Sequence, residues 1–272
     1  MTTPLLDYLP DAKLADRDWI AALAAQYRAA KPYPHVCIDS LFDDAVLAAV
    51  ADCFPAQLSH EYDNPRERKF ESATEHEIPR LIRHFLYSLN SAAFIDFCEQ
   101  VTGLTGLIPD PHWEGAGLHQ LPPGGKLAIH TDFNRHPRLK LDRRLNVLIY
   151  LNRDWRPEYG GEFEAWSPGG QGPAASYLPL FNRTILFNTN DHTYHGNPNP
   201  VRCPPGRSRQ SIAMYYYSNG RPLAETSGLY QGTRFMNRPG ENLVEPESLQ
   251  RRLLRRLPRK LRKLVMYLKH EW

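Results

Sequence analysis

Apolar residues recur at helical spacing through the first hundred positions and then give way to short alternating runs. Between residues 14 and 30, Ile20, Leu23, Ala24, Tyr27 and Arg28 fall at helical spacing and predict a helix. "PHVCID" reads as a short strand. "DDAVLAAVADCF" reads as a helix with Asp43 or Asp44 near its N-terminus. Ser59 to Pro79 is polar and without apolar periodicity, which predicts a long loop of the kind used as a lid or binding segment. "IPRLIRHFLYSLNSAAFIDFCEQVTGL" predicts two helices broken near Leu89–Ala92.

After Gly106 the texture changes. "GAGLHQL", "KLAIHTD", "RLNVLIYLN", "GEFEAW", "TILFNTN" and "QSIAMYYYS" are strand candidates separated by clusters of Gly, Pro, Asn and Asp. Their spacing points to a β-sandwich or barrel, and no helix-length segment lies between them to support a parallel α/β sheet. The expected fold class is α+β. Residues 1–105 form a helical layer with a lid-like loop, 106–225 the β-core of the same domain, and 226–272 a C-terminal extension.

Composition changes this picture little. With 272 residues and 42% hydrophobic content the chain can bury a sizeable core. It has no apolar run near the roughly 20 residues that span a bilayer. The acidic start "MTTPLLDYLPDAKLADRDW" lacks the apolar centre of a secretory signal. Cys37, Cys53, Cys98 and Cys203 are dispersed, which argues against a cysteine zinc site and suggests a reducing, cytoplasmic setting. Charge matters more. From Leu249 to Trp272 nine Lys and Arg face one Glu, so the tail carries +8 and the rest of the chain −5 of the net +3. Leu253, Leu254, Leu257, Leu261, Leu264 and Leu268 recur at helical spacing there, interrupted by Pro258. This predicts a basic amphipathic helix pair that docks on the acidic body or associates peripherally with an anionic membrane. No nucleic-acid-binding fold is evident, so nucleic acid is not an expected partner.

The candidate chemistry sits on the β-core. His130 and Asp132 alternate onto one face of a strand, as a two-pronged metal ligand requires. "ILFNTNDHTYHGNPNP" offers a third ligand, His195 or His192. Two imidazoles and a carboxylate form the facial set of non-haem Fe(II) oxygenases. Further on, Arg209 and Ser211 share a face at the start of an apolar strand. A guanidinium fork with a hydroxyl beside it matches a carboxylate, and Arg207 competes for this role.

In this order, His130-x-Asp132, His195 and Arg209-x-Ser211 resemble the 2-oxoglutarate/Fe(II)-dependent dioxygenases. The segment "RRLNVLIYLNRDWRPEYGGEFEAW" is similar to their prolyl 4-hydroxylase-like branch, with Tyr150, Leu151, Asn152, Trp155, Gly160, Gly161 and Glu162 in place, and the likeness runs from about Leu118 to Ser218. "TGLIPDPHWEGAGLH" resembles bacterial members of unknown substrate. The resemblance implies a double-stranded β-helix, or jelly-roll, core with the N-terminal helices packed on one sheet. It implies Fe(II) on His130, Asp132 and His195. It also implies 2-oxoglutarate on Arg209 with Ser211 assisting, contacts to that cosubstrate from Tyr150 and Gln120, O2 as oxidant, and ascorbate as an optional reductant. The loop from His195 to Arg209 is longer than in many relatives. The carboxylate at Asp132 favours hydroxylation over halogenation.

The implied reaction is hydroxylation of a small molecule or of an amino-acid or sugar derivative, with a peptidyl, prolyl-type substrate as the alternative. Candidate substrate contacts are Tyr62, Arg66, Arg68 and Lys69 in the lid-like loop and Asn134, Arg135 and His136 after the metal strand. Their basic members suit an acidic or phosphorylated molecule. A cupin-like hydrolase or isomerase would use the metal set but leave Arg209-x-Ser211 unexplained. A non-catalytic jelly-roll module would not need all three ligands.

Overall fold

The computed structural model describes residues 8–222, 225 and 232–243. Met1–Glu241 is one compact unit and Asn242–Trp272 a second, so the basic helix pair expected over 249–272 lies outside the described residues.

The N-terminal elements start and stop where local chemistry dictates. A short helix α1, Asp11–Leu14, precedes α2, Arg17–Ala29, which begins after Asp16 because the Asp16 carboxylate accepts from the Trp19 amide at 3.0 Å. Strand β1, His35–Asp39, follows. Helix α3, Asp44–Asp52, is capped by Asp43, whose carboxylate accepts from the Ala45 and Val46 amides. Of the two aspartates near this terminus, Asp43 is therefore the cap. Helices α4, Arg80–Leu89, and α5, Ala92–Thr102, break at Asn90 and Ser91 as expected, and α5 ends on the left-handed Gly103.

The polar stretch between α3 and α4 departs from expectation. It holds a β-hairpin, β2 at His60–Asn64 and β3 at Glu67–Glu71, whose turn is fixed by the Asn64 side chain accepting from the Arg66 and Glu67 amides. The hairpin has no apolar alternation because, apart from Phe70, which packs on the core, its side chains meet each other and a cavity, so a hydrophobic period could not reveal it.

The remaining strands are β4 (Ile108–Pro109), β5 (Gly117–Leu121), β6 (Lys126–Thr131), β7 (Asp142–Tyr150), β8 (Phe163–Trp166), β9 (Pro173–Tyr177), β10 (Arg183–Asn188), β11 (Tyr194–Asn197), β12 (Arg209–Ser218) and β13 (Arg234–Phe235). All pairings are antiparallel, in the order β1-β10-β7-β12-β5-β3-β6-β11-β8-β9, with β13 added to β6 and β4 to β12. The sheet folds over on itself. Phe163 of β8 meets Phe187 of β10 at 5.0 Å between ring centroids, although the two strands lie far apart in the order. Strand β3 joins the two leaves, pairing with β5 through Phe70 and Glu71 and with β6 through Glu67 and Arg68. This is the jelly-roll expected from the sequence.

Period-two alternation divides the faces of the larger leaf. Leu145, Val147 and Ile149 of β7, with Ile212, Met214 and Tyr216 of β12, join Leu23, Tyr27, Phe85, Phe94 and Phe97 in one apolar core under the helices. The opposite face of the same strands, with Asn146, Leu148, Ser211, Ala213 and Tyr215, lines a cavity. The N-terminal third is more than a helical layer, because it also supplies β1, β2 and β3 to the sheet.

Candidate metal and cosubstrate site

His130, Asp132 and His195 converge in the cavity, with one ligand atom from each within 4.8 Å of the others. His130 and His195 are paired directly across β6 and β11. His192 lies on an exposed turn and stays out of the site. A bulge sets the geometry. Leu127 pairs with Asn197 and His130 with His195, so β6 uses three steps where β11 uses two. The extra residue turns Leu127 and His130 toward the same cavity, which regular alternation forbids. Gly196 sits opposite this bulge, and a Cβ there would fall 2.8 Å from the Leu127 carbonyl oxygen, so only glycine lets the strands approach.

Hydrogen bonds set the tautomer of both imidazoles. His130 Nδ1 donates to the Ala128 carbonyl at 2.9 Å and His195 Nδ1 to the Thr193 carbonyl at 3.1 Å. A carbonyl only accepts, so each Nδ1 carries the proton and each Nε2 keeps its lone pair. These Nε2 atoms lie 3.6 Å and 3.5 Å from the Asp132 carboxylate. Burial pushes His195 down to about 4, against the pull of Asp132, so the ring is neutral at pH 7. For Asp132, burial acts to raise the carboxyl. The Arg143 guanidinium, with the imidazoles of His195 and His130, outweighs it and holds the group well below the usual carboxylate range.

Two residues that sequence reasoning missed hold Asp132. Asn146 Nδ2 donates to Oδ2 at 2.8 Å, and Arg143 Nη2 lies 3.1 Å from the same oxygen. Arg143 is itself bonded through Nε to Asn146 and lies over the rings of Tyr215 and Phe133, 3.4 Å and 4.5 Å from their centroids. Arg143 and Asn146 are three apart on one strand. A second bulge, where Tyr216 and Tyr217 pair with Leu145 and Arg143, puts them on one side. The signal in the sequence was an arginine inside an apolar strand. Replacing Arg143 with methionine is expected to weaken Fe(II) binding by roughly 10- to 100-fold. Anaerobic iron titration checks this, and an unchanged affinity would remove Arg143 from the role.

Arg209 is buried, with 5% of its surface exposed. Its Nε donates to the Gly161 carbonyl at 2.8 Å and its Nη2 to the Tyr150 hydroxyl at 3.1 Å. Among the described residues no carboxylate forms an ion pair with it, which leaves a buried cation facing the cavity. Burial accordingly lowers its pKa, opposed by Tyr150 and Glu162. Ser211 lines the cavity two residues on. Arg207 is excluded from this role, since its guanidinium lies against Trp155 and Tyr159 and donates to the Arg153 carbonyl. Gly161 explains the glycine pair before Glu162. It has φ +76°, and a Cβ there would lie 3.0 Å from Arg209 Cδ. Gly161→Ala is expected to weaken 2-oxoglutarate binding about tenfold through a backbone strain of 1–3 kcal/mol. A titration that finds no change would show that the loop absorbs the methyl group.

Other expected contacts fall elsewhere. Gln120 is turned away from the cavity by strand alternation, because His119 and Leu121 take the cavity face of β5. Its amide accepts from the Leu58 N–H and donates to the Ala56 carbonyl and to Ser208 Oγ, so it braces two loops. His136 is fully buried, with Nδ1 accepting from the Arg138 and Leu139 amides and Nε2 3.1 Å from Asp110 Oδ1, which is a structural role. Asn134 is bonded to Asp191 and Arg135 to the Lys140 carbonyl. Of the lid-like set, Tyr62 and Lys69 line the cavity, whereas Arg66 packs over the Phe235 ring. Phe235 of β13 lies 5.7 Å from the His130 ring, so the segment after the core adds a wall to the site. Thr131, between His130 and Asp132, is buried and absent from the lining.

The donor set fits Fe(II). It comprises two imidazole nitrogens with oriented lone pairs and one ionised carboxylate, with no thiolate nearby. The unpaired Arg209 beside it fits the distal carboxylate of 2-oxoglutarate.

Residues 116–217 match the model of the 2OG-Fe(II) oxygenase superfamily. No curated protein matches the sequence. Among solved structures, the chain is similar to a prolyl hydroxylase from Trichoplax adhaerens, in complex with a hypoxia inducible factor oxygen degradation domain peptide fragment. That likeness has 15% identity, covers 74% of this chain and 90% of that one, and has a TM-score of 0.53. It is also similar to a prolyl-4-hydroxylase from Pseudomonas putida at 16% identity, covering 72% and 98%, with a TM-score of 0.50. At these identities the likeness is one of fold.

Proposed function

We propose, from the match of residues 116–217 to the model of the 2OG-Fe(II) oxygenase superfamily, that the protein is an oxygenase of this superfamily and hydroxylates a C–H bond of a small molecule. The balanced reaction converts the C–H bond, O2 and 2-oxoglutarate into C–OH, succinate and CO2. The observation that carries the reading is Arg209, a buried cation with no carboxylate partner among the described residues, opening on the same cavity as His130, Asp132 and His195. A cupin-like hydrolase has no use for it.

Fe(II) held by His130, Asp132 and His195 would supply the centre at which 2-oxoglutarate and O2 react. The chain's own residues do the positioning. Arg209 forks onto the distal carboxylate of the cosubstrate, with the Tyr150 hydroxyl holding the guanidinium in plane and Ser211 beside it. Arg143 and Asn146 hold Oδ2 of Asp132 and so fix the carboxylate that would bind the metal. Leu121, Leu127, Leu148, Phe163 and Phe187 line the cavity with apolar surface that excludes water. A small-molecule substrate is supported by the cavity's volume of about 760 Å³, within the range of small-molecule sites. The fold shared with prolyl hydroxylases supports a peptidyl substrate as the second reading.

The test is succinate formation by purified protein. Release that requires both Fe(II) and 2-oxoglutarate is expected. Absence of coupled and uncoupled turnover, with no thermal shift on adding N-oxalylglycine, would end the proposal.

A further inference from the structure

The cavity wall beyond the metal and cosubstrate residues has a definite charge. Its ionisable side chains are Glu67, Lys69, Glu71 and Glu114, with the imidazoles of His60, His112 and His119. Lys69, the one ammonium among them, is consumed. It lies 2.5 Å from Glu71 Oε1 and 3.4 Å from Glu67 Oε2, over the ring of Tyr62 at 4.7 Å. His119 Nδ1 lies 3.2 Å from the same Glu71 oxygen. Arg143 is matched by Asp132, and Arg209 is reserved for the cosubstrate. Three carboxylates therefore stand against one lysine on the remaining wall, the reverse of the basic surface that the loop's sequence suggested.

The placement is built into the sheet. Tyr150, Ser211, His119, Glu71 and His60 form one rung across β7, β12, β5, β3 and β2, each paired with the next. The cosubstrate anchor and Glu71 thus share one surface, with Glu71 two strands, or about 10 Å, from Ser211. Burial acts to raise the Glu71 carboxyl, but His119 and Lys69 outweigh it and keep it ionised. A buried ion pair is weak evidence for fold stabilisation, because desolvation offsets much of the attraction. A cleft lined by one sign of charge concentrates ligands of the other sign.

We infer that the substrate is an amine-bearing small molecule whose ammonium group is received on the Glu67–Glu71–Glu114 side of the cavity. This rests on the dioxygenase reading. Lys69 offsets one of the three carboxylates, which leaves this side of the cavity negative, and the rung from Ser211 to Glu71 sets the distance between the reacting centre and the charged end. Acidic and phosphorylated molecules are repelled by the same wall.

Calorimetric titration of protein loaded with Fe(II) and N-oxalylglycine tests this, using spermidine, putrescine and glucosamine against adipate, glucose and glucose 6-phosphate. Binding confined to the amines is expected. Glu114→Gln should weaken it about tenfold or more, the loss of one hydrogen bond to a charged group. Glu67→Gln removes one carboxylate and leaves the Lys69–Glu71 pair in place. It should lose amine binding by a similar factor, and its own titration with N-oxalylglycine reports that it is folded. Binding of adipate or the sugar phosphate, silence of every amine, or unchanged affinity in both variants overturns the inference. Failure of the wild-type protein to bind iron and N-oxalylglycine strikes the dioxygenase reading instead, so the two failures are distinguishable.

Discussion

Arg209→Met is expected to weaken 2-oxoglutarate binding by roughly 100- to 1,000-fold while leaving Fe(II) binding intact. The cosubstrate's distal carboxylate would enter a buried place that Arg209 alone can neutralise. Breaking one side of a buried ion pair costs about 3–5 kcal/mol, and each 1.4 kcal/mol is a factor of ten. A second outcome separates this from general damage. Without the cosubstrate, the guanidinium is a buried charge with no carboxylate partner among the described residues, supported by the Gly161 carbonyl and by the hydroxyl and ring of Tyr150, which is an unfavourable state. Methionine removes that burden at similar volume, so the ligand-free variant should melt no lower than the parent. Loss of both stability and 2-oxoglutarate affinity would point to a packing role. Arg209→Lys should recover little, since an ammonium cannot reproduce the fork to Gly161 and Tyr150.

The second large effect is expected at His130. His130→Ala should reduce Fe(II) affinity by well over 100-fold, beyond the 10- to 100-fold typical of losing a supporting residue, because it deletes one of three donors. The imidazole also packs between His195 and Phe235 at 4.5 Å and 5.7 Å, so alanine leaves a hole as well. His130→Gln fills most of that volume without the oriented nitrogen. Both variants should purify without iron. In alanine alone the melting temperature should fall. Stoichiometric iron in the glutamine variant, measured by elemental analysis, would mean that the metal is held elsewhere.

The His130–Asp132 pair was legible in the sequence because its spacing is local, two apart at a strand end. His195 lies far along the chain and is followed by a glycine whose place only the structure explains, since a Cβ there would fall 2.8 Å from the Leu127 carbonyl oxygen of the β6 bulge. The family pattern already favours Arg209 over Arg207 and His195 over His192, and burial adds the physical reason. Each rejected residue lies in a loop whose path no periodicity predicts. Gln120 failed as a site residue for a simpler reason. Its strand alternates, and the cavity parity belongs to His119 and Leu121.

The sequence by itself determined the N-terminal helices, the strands of the core, the His130–Asp132 pair and the chemistry it suits, since each depends on residues near one another or on a period that survives in one dimension. Only the tertiary structure decided the environment of those ligands. Two bulges bring Leu127 beside His130 and Arg143 beside Asn146, and a bulge leaves no mark on the hydrophobic pattern. The polar hairpin became strands because β5 and β6 offered it edges to pair with. The sign of the substrate wall was decided last, when Lys69 met two glutamates. Charge along a chain is a sum, whereas charge in a cavity depends on which neighbours cancel.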